Sequence, residues 1–301
     1  MSTLVRTAHG PGRSHDGFIV VFALWLLAAL AALAVVASVY VTQSAKALTA
    51  LDAALQSEML TTAGLELLGN RLSTPPNVAR PTRGRFSFRL AKANVTVEFL
   101  SEAARINLNM APRVVLGGLF AAIGADADSA AQYADRVVGW RRAPRPNGQD
   151  VEDGLYVAAG LLPRRAPFNS TEELWLVVGL PAPIVERALP FVTVYSGIAE
   201  VNVLDAAPEV LAALPDMTPL RLDAFLSTRD SLPPDPEVVL RALGGRQVGA
   251  TTRGSDAYRV RIHVTLSSGR QVVSEGVILI SPPGEKEAFR VLVWHDDVGN
   301  S

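Results

Sequence analysis

Residues 17–41 read GFIVVFALWLLAALAALAVVASVYV, and no charged side chain occurs between Phe18 and Val41. At about 1.5 Å of rise per residue, a helix over residues 18–41 spans about 36 Å. That length crosses the ~30 Å hydrocarbon core of a membrane with some tilt. The run contains no proline, and no glycine after Gly17. The stretch therefore predicts one uninterrupted membrane-spanning helix.

Beyond Val41 the apolar residues thin to a stripe with helical spacing, and charged residues lie between them. The stripe consists of Leu48, Leu51, Leu55, Met59, Thr62, Leu65, Leu68 and Leu72. This spacing predicts that the same helix leaves the membrane and becomes amphipathic. It is expected to end near residues 73–76, where Pro75 and Pro76 cannot continue a helix.

The leader before the apolar run allows three interpretations. Residues 1–16 are polar and basic, with Arg6 and Arg13, and they end at Asp16 followed by Gly17. A cleaved signal peptide would use small residues at 44–47, but its apolar core is usually 7–15 residues long. A plain membrane anchor is the second interpretation.

The third interpretation is a resemblance. A short basic leader, then Gly-Phe, then an unbroken apolar helix resembles the type IV prepilin signal of pilins and type II secretion pseudopilins. The resemblance implies that a prepilin peptidase cleaves between Gly17 and Phe18 and that the new N-terminal Phe18 is methylated. It also implies a single-pass protein of the inner membrane, with a cytoplasmic N-terminus, as the basic leader favours, and a periplasmic C-terminal part.

Phe22 departs from the usual pilin pattern. Family members commonly carry Glu at this position, five residues into the mature chain, where it pairs with the N-terminus of the neighbouring subunit. A carboxylate in lipid is costly unless it is paired. Its absence is typical of the K-type minor pseudopilin at the tip of the type II secretion pseudopilus.

Composition is compatible with an envelope protein. The chain has no cysteine, a formal net charge of −1 and 19% charged residues. The absence of cysteine excludes a disulfide scaffold and thiol chemistry. The near-neutral balance disfavours a general nucleic-acid binder, which usually has a basic excess.

Alternating residues predict strands on both sides of a helical region. Residues 85–90 and 94–100 form a predicted hairpin, and residues 258–266, 271–280 and 289–294 form three further predicted strands. We expect one antiparallel sheet packed against the long helix. Residues 101–230 are rich in Ala and Leu with helical spacing, except for a loop-like segment at 143–165 and a short helix expected to start near Thr171.

A near-repeat occurs within the helical region. The segments are INLNMA at 106–111 and VNVLDAA at 201–207, and each leads into a proline and an apolar helix. A Val-Gly-Leu-Pro turn at 178–181 resembles a helix-hairpin-helix element. Its prolines remove the backbone amides that would hold phosphate, so a structural role is favoured over DNA binding.

An ordered series of segments strengthens the resemblance to K-type minor pseudopilins. The matching residues are Glu102, Arg105, Ile106, Asn107, Leu108 and Asn109, then Glu173, Leu174, Val177 and Gly179, then 192–197 and Val201-Asn202. The asparagines are expected to hold turns, since Asn bonds to nearby backbone.

The fold class expected from the helix, the strands and this resemblance is α+β. A long N-terminal helix packs on a pilin-like antiparallel sheet into which a large helical domain is inserted. The expected organisation is a leader at 1–17, the long helix at 18–74, sheet at 75–100, the inserted domain at 101–230 and sheet at 231–301.

The resemblance also implies an acidic calcium-binding loop. The matching stretch here contains Asp150, Glu152 and Asp153. Calcium takes six to eight oxygen ligands, and Arg141 and Arg142 lie where the resemblance implies further acids. A solvated acidic turn neutralised by nearby arginines is the alternative.

Catalysis finds little support, because the four histidines are scattered and no nucleophile elbow or phosphate loop occurs. The predicted function is therefore a non-enzymatic assembly subunit that caps the pseudopilus. Its expected partners are the I- and J-type minor pseudopilins, with secreted substrate or the outer-membrane secretin as further candidates and no nucleic acid. The alternative is a membrane-anchored periplasmic binding module unrelated to pili.

Overall fold

The computed structural model of the protein describes residues 16–73, 79–143, 151–162, 164–233 and 235–296. The chain divides into two compact units, Met1–Glu58 and Met59–Ser301. The first helix, α1 (Asp16–Leu72), contributes residues to both units.

The apolar composition of residues 18–41 and the proline pair after Leu72 account for the character and the end of α1. Its apolar side chains between Ile19 and Val41 are exposed, and by length and composition α1 could cross a membrane. It ends at Leu72, just before the predicted stop at the proline pair, and the N–H of Ser73 still bonds to the carbonyl of Gly69 at 2.9 Å.

The remaining helices and strands all lie in the second unit. The further helices are α2 (Arg113–Ala122), α3 (Ala127–Arg141), α4 (Val151–Ala158), α5 (Ala182–Ala188), α6 (Pro208–Ala212), α7 (Pro219–Thr228) and α8 (Pro236–Ala242). The strands are β1 (Arg83–Leu90), β2 (Ala93–Ser101), β3 (Ile106–Asn107), β4 (Val192–Thr193), β5 (Val201–Asn202), β6 (Ala250–Thr251), β7 (Ala257–Thr265), β8 (Gln271–Ile280) and β9 (Phe289–His295).

Among the described residues, five strands form one antiparallel sheet in the order β1-β2-β7-β8-β9. The β1–β2 turn consists of Ala91 and Lys92, with φ of 49° and 65°. Positive φ at both positions matches the twist of the flanking strands, as in a type I′ turn. The predicted hairpin is therefore present, with Ala93 already in β2.

The last turns of α1 cover one face of this sheet. Leu65, Leu68 and Leu72 are buried there. A Cβ on Gly64 would lie 3.1 Å from the side chain of Val97 and 3.2 Å from that of Ile262. The helix backbone thus rests directly on β2 and β7, which leaves the other face of the sheet open to solvent.

The helical domain is inserted between β2 and β7, which are neighbours in the sheet. Its core is built from fully buried leucines such as Leu116, Leu119 and Leu211. The predicted fold class, a pilin-like helix and sheet with an inserted helical domain, is confirmed.

Two local predictions were wrong. The segment 143–165, expected to be a loop, contains α4, whose Tyr156 is buried against Trp140 with ring centroids 5.9 Å apart. The helix expected to start near Thr171 is a 3₁₀ turn, Thr171–Leu176.

The near-repeat corresponds to a structural repeat. Strand β3 pairs in parallel with β4, and β5 pairs in parallel with β6. In each copy the asparagine side chain holds the following turn. Oδ1 of Asn107 accepts the N–H of Asn109 at 2.9 Å, and Oδ1 of Asn202 accepts the N–H of Leu204 at 3.1 Å.

An arginine completes each copy. Arg141 donates to the carbonyl of Ala111 at 2.6 Å, and Arg229 donates to the carbonyl of Ala206 at 2.7 Å. Each alanine lies four residues after its asparagine. Arg141 also donates to the carbonyl of Leu108, so its guanidinium satisfies two carbonyls of the turn.

The two copies meet at α2 and α6. A Cβ on Gly118 would lie 2.1 Å from the carbonyl oxygen of Ala213, whereas one on the adjacent Gly117 would have only ordinary contacts at 3.8 Å. We predict that Gly118→Ala destabilises the protein by about 1–3 kcal/mol through overpacking. Chemical denaturation of the full-length protein in detergent measures this change.

Gly117→Ala is the matched control. It adds the same methyl one residue away, where helix propensity favours Ala over Gly by about 1 kcal/mol. Equal destabilisation by both variants would contradict a close approach of α2 and α6 at Gly118.

Candidate assembly surface

The N-terminal residues singled out by the sequence lie at the start of α1. Gly17 and Phe18 have helical backbone, and their side chains fall outside the described residues. Phe22 is exposed, as are its apolar neighbours in the helix. Cleavage after Gly17 and the significance of Phe22 stay predictions.

The predicted calcium loop is only partly described. Asp150 and the side chain of Glu152 lie outside the described residues, and the carboxylate of Asp153 pairs with Arg165. In the part of the chain that the structure describes, no group of three or more carboxylates and histidines could hold a metal ion. The described residues alone do not form a calcium site, and calcium stays a prediction.

The solvent-facing side of the sheet carries a row of charges. Register places Arg85 on β1 opposite Glu98 on β2, then Arg261 on β7, Glu275 on β8 and His295 on β9. The signs alternate along the row from Arg85 to Glu275. Opposite charges facing each other across strands stabilise a sheet by about 0.2–1 kcal/mol per pair.

Two pairs of neighbouring residues in this row form ion pairs. Arg85 Nε lies 3.4 Å from Glu98 Oε1. Arg261 donates twice to Glu275 Oε2, from Nε at 2.9 Å and from Nη2 at 2.5 Å. The row thus contains one ion pair between β1 and β2 and a second between β7 and β8.

Glu102 connects this row to the helical domain. It follows β2 directly in the 3₁₀ turn Glu102–Ala104, and its side chain is fully buried. Its Oε1 accepts from Arg259 Nε at 2.9 Å and from Arg105 Nη1 at 3.4 Å. Arg259 in turn donates to Glu275 at 3.2 Å.

The Glu102 carboxylate is incompletely satisfied. Its second oxygen, Oε2, is buried without a hydrogen-bond partner among the described residues. A buried carboxylate is tolerated only when cations and hydrogen bonds offset its lost hydration. Arg105 and Arg259 provide that compensation, which explains why the Glu-x-x-Arg pattern found in the sequence begins the helical domain.

The charges of this network shift one another's pKa. Burial alone would raise the pKa of Glu275, but the hydrogen bonds from Arg261 and Arg259 outweigh burial and lower it. Burial alone would lower the pKa of Arg259, but the charge of Glu102 together with the hydrogen bonds to Glu102 and Glu275 outweighs burial and raises it. The groups therefore hold each other in their charged forms.

The predicted asparagines have structural roles. Asn107 Nδ2 donates to Ser196 Oγ at 2.9 Å. Asn109 exchanges two hydrogen bonds with the backbone of Phe168, accepting at 2.7 Å and donating at 2.9 Å. Sequence reasoning missed Arg259 and Glu275, although the outward alternation of Arg259 and Arg261 along one predicted strand was a signal for them.

Residues 93–197 match the family described as type II secretion system (T2SS), protein K. The matched segment is similar to that family and makes up about a third of the chain. The matched residues include the Glu102 turn, Arg105 and the first copy of the repeat. The resemblance to K-type minor pseudopilins is confirmed, and the protein K family is a structural component of the secretion system.

Comparison with solved structures gives the same fold over a longer range. A chain of the crystal structure of the GspK-GspI-GspJ complex from the type 2 secretion system of enterotoxigenic Escherichia coli matches with a TM-score of 0.58 and 18% identity. The match covers 86% of this chain and 100% of that chain. Comparison with curated proteins finds no match.

For this protein K domain, we predict that Glu102→Ala destabilises the second unit. Removing one partner of a buried ion pair costs about 3–5 kcal/mol. We expect the lower end of this range, because the side chains of Arg105 and Arg259 remain 19% and 29% exposed. Denaturation of the full-length protein measures the loss.

Glu98→Ala is the matched control, since it removes a carboxylate whose pair with Arg85 is largely exposed. Such pairs contribute about 0–1 kcal/mol. If the two variants lose the same stability, Glu102 does not anchor the helical domain.

The lowered pKa of Glu275 predicts a pH dependence. The folded-state value lies below the reference value of 4.5, so the charged carboxylate stabilises the fold above pH 4.5 and this contribution disappears as pH falls through the folded value. Glu275→Gln should therefore lower stability at pH 7, and the difference from wild type should shrink on acidification from about pH 5 to pH 3.

Denaturation midpoints at a series of pH values test this expectation. Glu287→Gln, a change of the same size at an exposed residue, controls for the loss of one negative charge. A stability difference between wild type and Glu275→Gln that stays constant over this pH range would contradict the lowered pKa.

Proposed function

We propose that this protein is a minor pseudopilin that is cleaved after Gly17 and caps the tip of a type II secretion pseudopilus. The observation that carries the proposal is the uncharged apolar run of α1, which begins directly after Gly17 and has Phe22 where related subunits carry Glu. In this view the chain spans the inner membrane once, with a cytoplasmic N-terminus and a periplasmic second unit.

Phe22 supports a terminal position in the filament. An intramembrane carboxylate is costly unless a cation pairs with it, and in related subunits that cation is the N-terminal amine of a neighbour. A subunit with Phe at this position needs no such neighbour. The match to the protein K family supports the same placement.

The inserted helical domain supports the capping role. It occupies the connection between β2 and β7, two strands that pair directly, and it has an extensive core of its own. A second folded body on a pilin-like sheet obstructs the addition of another subunit on that side. Growth of the filament would then be possible only from the opposite end.

The proposed partners follow from the structural match. The matched chain belongs to a complex of GspK with GspI and GspJ, and we propose I- and J-type minor pseudopilins as partners of this chain. Prepilin peptidase is the processing enzyme. Secreted substrate and the outer-membrane secretin are proposed contacts of the inserted domain during secretion across the outer membrane.

Mass spectrometry of the membrane-extracted protein tests the processing step. We predict a chain that starts at Phe18, with or without one methyl group, in cells that contain prepilin peptidase and an intact leader in cells that lack it. Gly17→Leu should retain the leader in both. Gly10→Ala changes another leader glycine and should be processed normally.

A start at Met1 in the presence of the peptidase would overturn the pseudopilin proposal and favour a membrane-anchored periplasmic binding module. A start between Ala45 and Thr49 would indicate a cleaved signal peptide and a secreted protein instead.

A further inference from the structure

The outer edge of β1 is open. In the described part of the chain, β1 pairs with β2 and with no strand on its other side. Its side chains alternate between the two faces of the sheet. Arg83, Arg85 and Arg89 are exposed, while Phe86 and Phe88 are half-buried on the helix side. Arg83 pairs with Asp205 at 3.4 Å and with Asp230 at 3.3 Å.

The two faces of this edge differ chemically. Phe86 and Phe88 stack with ring centroids 6.5 Å apart, and the guanidinium of Arg71 lies 4.8 Å from the centre of the Phe86 ring. A strand added beside β1 would therefore meet aromatic rings on one face. On the other face it would meet the guanidinium groups of Arg83, Arg85 and Arg89, with Ser87 between the last two.

A groove continues the cationic face across the sheet. It encloses about 640 Å³ and is lined by Arg83, Arg85, Arg105, Arg259 and Arg261, with Glu98 and Glu275 between them. Glu275 is engaged by Arg259 and Arg261. The side chain of Arg85 is 68% exposed, and its ion pair among the described residues is with Glu98 at 3.4 Å. Arg85 therefore has donors directed toward solvent at the open edge.

The charge row fixes what the next strand should carry. Its signs alternate from Glu275 through Arg261 and Glu98 to Arg85, which is the last residue on the open edge. A carboxylate opposite Arg85 would continue the alternation, whereas a cation there would repel it. Acids toward the arginines and apolar residues toward Phe86 and Phe88 would satisfy both faces.

We propose, independently of where the protein sits in a pseudopilus, that β1 is a docking edge for an extended acidic segment of a partner protein. The segment adds as a sixth strand, with acidic residues alternating with apolar ones. Backbone hydrogen bonds along the edge supply affinity and alternate side chains supply specificity. The edge arginines oppose addition of basic strands, which also protects the edge from non-specific pairing.

A protein segment fits this surface better than a continuous polyanion. Glu98 and Glu275 stand between the arginines in the groove, so closely spaced phosphates of a nucleic acid would be repelled at these positions. An alternating peptide beside β1 places its carboxylates opposite the arginines and Ser87, and none opposite an acidic residue. The edge backbone is a further recognition element that a nucleic acid cannot use.

The test uses the full-length protein in detergent and fluorescein-labelled peptides of about nine residues, the length of a typical long strand. In the acidic peptide, glutamate alternates with valine, and a basic peptide has lysine in place of glutamate. Fluorescence anisotropy should show saturable binding of the acidic peptide that weakens with salt. Hydrogen exchange of residues 83–90 should slow when it is bound.

Variants at the edge make the test specific. Arg85→Glu should weaken binding of the acidic peptide by about tenfold, because an attraction becomes a repulsion, and it should improve binding of the basic peptide. Arg85→Gln should cause a smaller loss of affinity for the acidic peptide. This variant provides the test if Arg85→Glu fails to fold. Arg290→Glu makes the same reversal at an exposed residue of the opposite edge strand, β9, and should leave affinity unchanged.

Several results would overturn the proposal. They are no binding of the acidic peptide, equal binding of the basic peptide by the wild type, unchanged affinity in both Arg85 variants, and unchanged exchange of residues 83–90. Single-stranded DNA that binds as tightly as the acidic peptide would show a generic anion surface and would also overturn it.

Discussion

The buried carboxylate of Glu102 is the contact on which the arrangement of the second unit depends. It lies where the chain leaves the sheet for the helical domain, and it bonds to Arg259 in the central strand β7. A charge at this depth is stable only while its cationic partners stay in place. The carboxylate therefore ties the first turn of the helical domain to the strand at which the chain returns to the sheet.

Serine hydroxyls reinforce this junction. Ser101 Oγ accepts the N–H of Ser255 at 2.9 Å and lies 3.1 Å from Ser255 Oγ. Ser101 ends β2 and Ser255 lies just before β7, so the two ends of the insertion are bonded to each other. A long insertion between neighbouring strands is compatible with the sheet because its ends remain where a short hairpin loop would have held them.

The helical domain contains the same local arrangement of strand pair, turn and arginine twice. A short parallel strand pair is followed by an asparagine turn whose carbonyls would be buried without partners. Asn107 and Asn202 satisfy the turn amides, and Arg141 and Arg229 satisfy the carbonyls. Because buried backbone groups must be paired, the asparagine and the arginine are both needed, although only the asparagines repeat visibly in the sequence.

The parts of the structure that could be predicted from sequence depend on local periodicity. The apolar run of α1, the alternation in β1 and β2 and the proline stop after Leu72 are all local signals. Helix α4 was not predicted, because it is short, contains Gly154 and follows a proline-rich segment. Its burial depends on Tyr156 meeting Trp140, a contact that no local pattern reveals.

The ionic part of the candidate surface could be predicted only in part for the same reason. Glu102 and Arg105 are close in sequence, and their spacing suggests a pair. Arg259 and Glu275 join them only through strand register, which brings together residues 157 positions apart. Arg141 donates to the backbone carbonyls of Leu108 and Ala111, a role that the sequence spacing does not reveal.

The ionic network also determines how the open face of the sheet can be used. Most guanidinium groups there already have a carboxylate partner, so a ligand must exchange existing pairs for new ones and lose hydration while doing so. Such exchanges give little net affinity, but they penalise strongly any ligand whose charges are out of place. A face of this kind selects its partner by the order of charges, whereas exposed apolar side chains, such as those along the first part of α1, distinguish little beyond size and shape.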